Sequence, residues 1–148
     1  MANEITVTSS LFIQKRSDDG TETLVEYQSR PTAFQADMEG AKGPTPGAIA
    51  VSRFGTDISL AELDHPGFCR FRNLDDANPI EIGIYNTDQS EFYPFLRLLP
   101  GEGYVVRLSP NLNLEYAGTG TGTTSEVNTF RAISENADGT LLVEAFEE

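Results

Sequence analysis

The side chains that most often do chemistry are scarce in this chain and stand apart from one another. His65 is the only histidine and Cys69 the only cysteine among 148 residues. A histidine-based zinc site or a Ser-His-Asp hydrolase would have to be built on His65. That residue lies between Asp64 and Pro66, in what reads as a tight surface turn. Cys69 alternates with Phe71, which makes it a small inward-facing apolar residue rather than a nucleophile. Gly118-Thr-Gly-Thr-Gly122 echoes a phosphate-cradling loop, but such a loop needs a helix N-terminus after it and usually a lysine. The following stretch has weak helix propensity, and no lysine occurs after Lys42. The 23 carboxylates generate glycosidase-like pairs by number alone, so their spacing discriminates nothing. Ser17-Asp-Asp-Gly20 and Asp75-Asp76 could offer oxygen ligands to calcium. Neither follows the Asp-x-Asp-x-Asp-Gly register, and turn chemistry explains both. The expectation is a protein without catalytic residues, metal or cofactor.

Charge narrows the partners. The formal net charge is −13, which repels a phosphate backbone and an anionic membrane surface alike. Nucleic acid and membrane are therefore not expected partners. Solubility explains most of the excess; a basic partner surface or a repeated array would also suit it. Residues 108–148 carry Glu115, Glu126, Glu135, Asp138, Glu144, Glu147 and Glu148 against Arg131 alone, marking an expected acidic outer face. One cysteine allows no intrachain disulfide. No apolar run reaches membrane-spanning length, and the N-terminus lacks the basic and apolar regions of a signal peptide. Synthesis and folding in a host cytoplasm are expected.

The elements that must position any site are short and extended. With 13 glycines and 8 prolines, turns recur at the spacing of an all-β protein. Ile5, Val7, Ser9, Leu11 and Ile13 alternate with polar neighbours; turn residues follow at Arg16–Gly20, and Val25 and Tyr27 return to form a hairpin. Phe34, Ala36 and Met38 read as a third strand. Glu39–Gly47 and residues 117–126 read as surface loops, the first because its prolines and glycines interrupt any ladder. Ile49 and Val51 mark a strand, and Ser59-x-x-Glu62 predicts at most one capped helical turn. The fold class expected is all-β: an antiparallel β-sandwich or jelly-roll-like barrel of about ten short strands, forming a single domain over 1–148.

Three further hairpins are predicted. In the first, Phe68–Asn73 faces Ile80–Tyr85 across Asp75–Asn78, setting Arg72 opposite Glu81, Phe71 opposite Ile82 and Cys69 opposite Ile84, each pair matched in polarity. In the second, Phe92–Leu99 turns through Pro100–Gly103 into Tyr104–Leu108. Another alternating strand, Leu112, Leu114 and Tyr116, precedes the third, in which Val127–Ile133 turns through Asn136–Gly139 into Leu141–Phe146. The second hairpin is apolar on both faces, so one must be covered. Either another part of the chain covers it or a partner does, with Phe92, Tyr93, Phe95, Leu96, Leu98 and Leu99 as the partner interface. A symmetric oligomer is expected, a trimer first, or a monomer that associates only on its host particle. The density of Phe92-Tyr93-Pro94-Phe95 also leaves open a carbohydrate- or receptor-binding module.

Phe68-Cys-Arg-Phe-Arg-Asn-Leu-Asp-Asp-Ala-Asn-Pro-Ile-Glu-Ile-Gly83, followed by Phe95-Leu-Arg-Leu-Leu-Pro-Gly-Glu102, resembles a pattern in small structural proteins of tailed bacteriophages. The resemblance spans roughly residues 67–108 and rests on turn and strand residues. It implies a virion component such as a capsid decoration protein or a head or tail accessory, with other virion proteins as partners.

Overall fold

The computed structural model describes residues 5–36, 43–63, 66–109 and 128–147. It divides into two compact units, 1–38 and 39–148. Among the described residues there are twelve strands and no helix. The all-β expectation holds, with twelve strands in place of about ten.

The first unit contains β1 (Ile5–Ser9), β2 (Phe12–Arg16), β3 (Thr23–Gln28) and β4 (Thr32–Ala36). β2 pairs with β3 and β1 with β4, both antiparallel, so one doubled-back chain makes two consecutive two-stranded ladders. The turn forms where its residues predicted it. Ser17 N donates to Glu22 O at 2.9 Å, and Gly20 takes φ +72°, a conformation glycine adopts without a Cβ penalty. Ser29 secures the break between the ladders: Leu11 N donates to its Oγ at 2.7 Å and Ser29 N donates to Leu11 O at 2.8 Å. The alternation from Ile5 to Ile13 is therefore two strands rather than one. Phe34 and Ala36 lie in β4; Met38 lies outside the described residues.

The second unit contains β5 (Thr45–Val51), β6 (Thr56–Asp57), β7 (Pro66–Asn73), β8 (Ile80–Asn86), β9 (Glu91–Leu98), β10 (Gly103–Arg107), β11 (Asn128–Ser134) and β12 (Gly139–Glu147). They form two four-stranded antiparallel sheets, β10-β7-β12-β5 and β6-β11-β8-β9. Every consecutive pair except β8–β9 has its members in opposite sheets. This order is the jelly-roll form of the sandwich. The inner faces meet in one core that includes Val51, Phe71, Ile82, Leu98, Phe130 and Val143. The Phe71 and Phe130 rings, one from each sheet, have centroids 5.5 Å apart.

All three further hairpins expected from sequence are corrected by this topology. β7 pairs with β10 and β12, not β8; β9 pairs with β8, not β10; β11 pairs with β6 and β8, not β12. Each of these connections crosses between sheets. The faces were legible all the same: Cys69, Phe71 and Ile82 are buried and Arg72 is exposed. Alternation dictates which side chains point inward, whereas the neighbouring strand depends on the path of the loop. Arg72 stands beside Gly103 and Leu142, and Glu81 beside Arg97 and Ile133.

Thr45-Pro46-Gly47 corrects the first expected loop. These residues open β5 and pair with Val143, Glu144 and Ala145. β5 is a sheet edge, where a proline costs the ladder nothing because that side of its backbone needs no partner. The Ser59 region makes a single turn, with Leu63 N donating to Leu60 O at 3.0 Å. Glu62 turns away from the expected cap and accepts from Thr45 Oγ1 at 2.9 Å.

Candidate functional site

The first unit, much the shorter of the two, presents half of the large apolar side chains that stand in solvent among the described residues. Leu11, Phe12, Ile13, Leu24, Val25, Tyr27 and Phe34 are all exposed. The cause is geometric: a ladder two strands wide has no second layer of its own to cover either face. Ile13 stands opposite Tyr27, and Phe12 opposite Gln28 on the other side of the ladder, so both faces carry aromatic or aliphatic groups. An isolated two-stranded ladder is marginal in water, which makes these side chains the candidate for an association surface. Sequence reading missed this set because alternation assigns one face inward by default. The available signal was Phe12 itself, a large apolar residue on the face assigned to solvent.

At the tip of this unit Asp19 organises the turn. Its Oδ1 accepts from Ser17 Oγ, from Thr21 N at 3.0 Å and from Thr21 Oγ1 at 2.8 Å. Hydrogen bonding from Ser17, then from the Thr21 backbone and side chain, holds its carboxyl down at about 2.

The expected interface on β9 is divided by the fold. Leu98 is 0% exposed and Leu96 packs against the core, so neither offers itself to a partner. Phe92 is half-buried, whereas Tyr93, Phe95 and Leu99 are exposed. β9 shifts register against β8 between Ile82 and Gly83. A Cβ on Gly83 would stand 2.2 Å from Tyr93 O, so only glycine permits this approach. Phe95 is the residue displaced by the shift. Its ring stacks on core Phe130 at 5.7 Å while remaining 54% exposed.

Asn73–Asn78 and the turn from Leu98 to Glu102 meet in one structural corner. Asn73 N donates to Glu102 O at 2.8 Å and Gly101 N to Asn73 O at 3.1 Å. The Asn73 amide, 0% exposed, donates to Asn78 O at 2.8 Å and Leu98 O at 3.1 Å. Asp75 Oδ1 accepts from Ala77 N and Asn78 N, which lowers its carboxyl. Glu102 accepts from Leu99 N at 2.8 Å. These polar groups shape two crossovers.

No protein-family model, curated protein or solved structure matches the chain.

Acidic residues expected on an outer face are partly matched by arginine. Arg70 bonds Glu144 at 2.9 Å across β7 and β12, and Arg97 grips Glu135 through Nε at 2.5 Å and a second nitrogen at 3.0 Å. Arg131 bonds Asp57 at 2.7 Å and lies 3.5 Å over the Tyr85 ring. Cys69 is buried, and desolvation followed by the charge of Glu144 pushes its thiol up to about 12. Among the described residues, no group of three or more His, Cys, Asp or Glu is placed to hold a metal. His65, Gly118–Gly122, and the strand expected at Leu112, Leu114 and Tyr116 lie outside the described residues. So does the whole of the loop expected at 117–126.

Proposed function

We propose that this chain is a non-enzymatic structural protein of a virus particle, of the capsid decoration, cement or head–tail accessory type. The observation that carries the reading is the two-stranded first unit, whose exposed Phe12, Ile13, Tyr27 and Phe34 require a protein surface to cover them. A docking module on a larger assembly would have that need met. Two further points support it: the sequence resembles bacteriophage structural proteins at residues whose hydrogen bonds tie two crossovers together, and the jelly roll recurs in viral capsid domains. The last is fold-level analogy. Mass spectrometry of virus particles purified from cells that carry the coding sequence tests the proposal. The expected result is its presence in numbers comparable with other virion proteins. Absence from intact particles overturns the reading.

A second reading, binding of a glycan or receptor, draws on the exposed Tyr93 and Phe95 of β9 and Tyr104 of β10. Aromatic faces at a sandwich edge can stack on sugar rings. Glycan-array binding that disappears in Tyr93→Ala would favour it over the first.

A further inference from the structure

A net charge of −13 calls for a basic partner, but one face of the second unit carries the opposite sign. Cross-strand neighbours share a face of a sheet, so register defines the outward side of β10-β7-β12-β5. One row across the four strands is Gly103, Arg72, Leu142 and Ala48; the next is Val105, Arg70, Glu144 and Pro46. The charged groups of these rows are two arginines and one glutamate. On the same side Arg107 lies over the ring of Phe68, its cross-strand neighbour. The outward side of a sandwich sheet is ordinarily polar. Here Ala48 and Val105 are exposed and Leu142 is half-buried. Arginine among apolar groups, with lysine and carboxylates depleted, is the composition of the centre of a protein interface.

Pairing sets Arg72 apart from the other arginines of the two sheets. Arg97 and Arg131 are met by Glu135 and Asp57, and Arg70 is met by Glu144. Arg72 is exposed, and among the described residues no carboxylate bonds it. Its neighbours on either side, Gly103 and Leu142, bring none. Its guanidinium is therefore a planar, two-pronged donor standing on a low apolar floor, the form of group that grips a carboxylate through two parallel bonds.

We infer that the outward face of β10-β7-β12-β5 docks a different protein whose surface carries carboxylates, with Arg72 as the anchor that one of them grips. Complementarity of charge selects this occupant. A second copy seated by the same face would set a surplus of arginine against itself. A nucleic acid or a sulfated glycan would leave Val105, Leu142 and Ala48 without apolar contacts and would meet the repulsion of the whole chain. A protein surface sets a few carboxylates among apolar groups and answers both features at short range. The inference does not depend on the virion reading, because it uses the second unit alone and asks only for an acidic protein surface.

The test is fluorescence anisotropy of a labelled peptide alternating Glu and Val, titrated with the full chain, beside a labelled oligonucleotide and a labelled sulfated oligosaccharide. Extended, the peptide spaces its carboxylates by roughly 6.6 Å along one side, the spacing of Arg70 and Arg72 along β7. The peptide is expected to bind, and to bind less as salt rises. Arg72→Glu should lower its affinity about tenfold, and Arg72→Gln, which removes the charge alone, should also lower it. Arg53→Glu, at an exposed arginine of the β5–β6 loop, should leave it unchanged. Absence of peptide binding overturns the inference, and so does equal loss in Arg72→Glu and Arg53→Glu. Binding of the oligonucleotide or the oligosaccharide without the peptide overturns it in favour of a polyanion. Light scattering that gives the mass of two chains, halved by Arg72→Glu, overturns it in favour of a second copy.

Discussion

The buried amide of Asn73, at the end of β7, donates to the carbonyl of Leu98, at the end of β9 in the opposite sheet, over 3.1 Å. One side chain thus fastens the two sheets where two crossovers meet. Asn73→Ala strips donors from Asn78 O and Leu98 O. Leaving buried carbonyls without partners costs about 1–3 kcal/mol each, so a loss of roughly 2–4 kcal/mol is expected in a denaturant titration. A loss below about 0.5 kcal/mol, the level of a surface change, would remove Asn73 from this role.

Phe71 is 0% exposed against Phe130, so Phe71→Ala is expected to cost about 3–5 kcal/mol. Arg72→Ala, on the solvent side, should cost under about 1 kcal/mol. The topology adds a sharper demand. Arg72 and Glu81 belong to different sheets, so a double-mutant cycle between them should be additive within about 0.5 kcal/mol. Coupling well above that would restore the hairpin that the fold rejects.

Gly83→Ala brings a Cβ against the Tyr93 carbonyl, and backbone cannot yield there as a flexible side chain would. Loss exceeding about 3 kcal/mol is expected, in the class of severe steric effects. Thermal denaturation checks it; a variant as stable as the parent would mean that the β8–β9 register differs.

The turn at Asp19 should respond to acid unusually late. A carboxyl held at about 2 against an ordinary 3.8 contributes stability that is complete above the ordinary value. It is lost as pH falls through the lower one. The amide shift of Thr21, which donates to Asp19 Oδ1, should therefore titrate with a midpoint near the lower value, about 2. A midpoint at or above 3.8 would show that the carboxylate is not held.

Phe12→Ser and Phe34→Ser replace exposed side chains. Each should change folding stability by less than about 0.5 kcal/mol while sharply reducing incorporation into particles. Unchanged incorporation would release the first unit from its docking role.

The inward and outward sides of the sandwich could be read from residues such as Cys69, Phe71 and Arg72, because alternation is enforced by the pleat itself. Strand neighbours could not. Phe71 matches Ile82 in polarity as well as it matches its actual neighbours, Tyr104 and Val143. What decides between them is the corner at Asn73 and Asp75, whose residues look the same in a hairpin loop. The β9 interface was half legible for a related reason: alternation alone sets Leu96 and Tyr93 on opposite faces, and the register shift that places them opposite Ile82 and Ile84 leaves no mark in the sequence. The exposed side chains of the first unit escaped because burial is the default reading of an alternating apolar strand.

β12 lies between β5 and β7, yet the ribosome makes it after both. The first sheet consequently has no middle when its flanking strands emerge. Their inward faces, with Val51, Cys69 and Phe71, wait for synthesis to reach Glu147, on the order of ten seconds at ordinary elongation rates. During that interval the nascent chain offers apolar strands to its neighbours on a polysome and to chaperones. Yield in a heterologous host should therefore improve with slower initiation, which spaces the nascent chains, more than with any change to the finished surface.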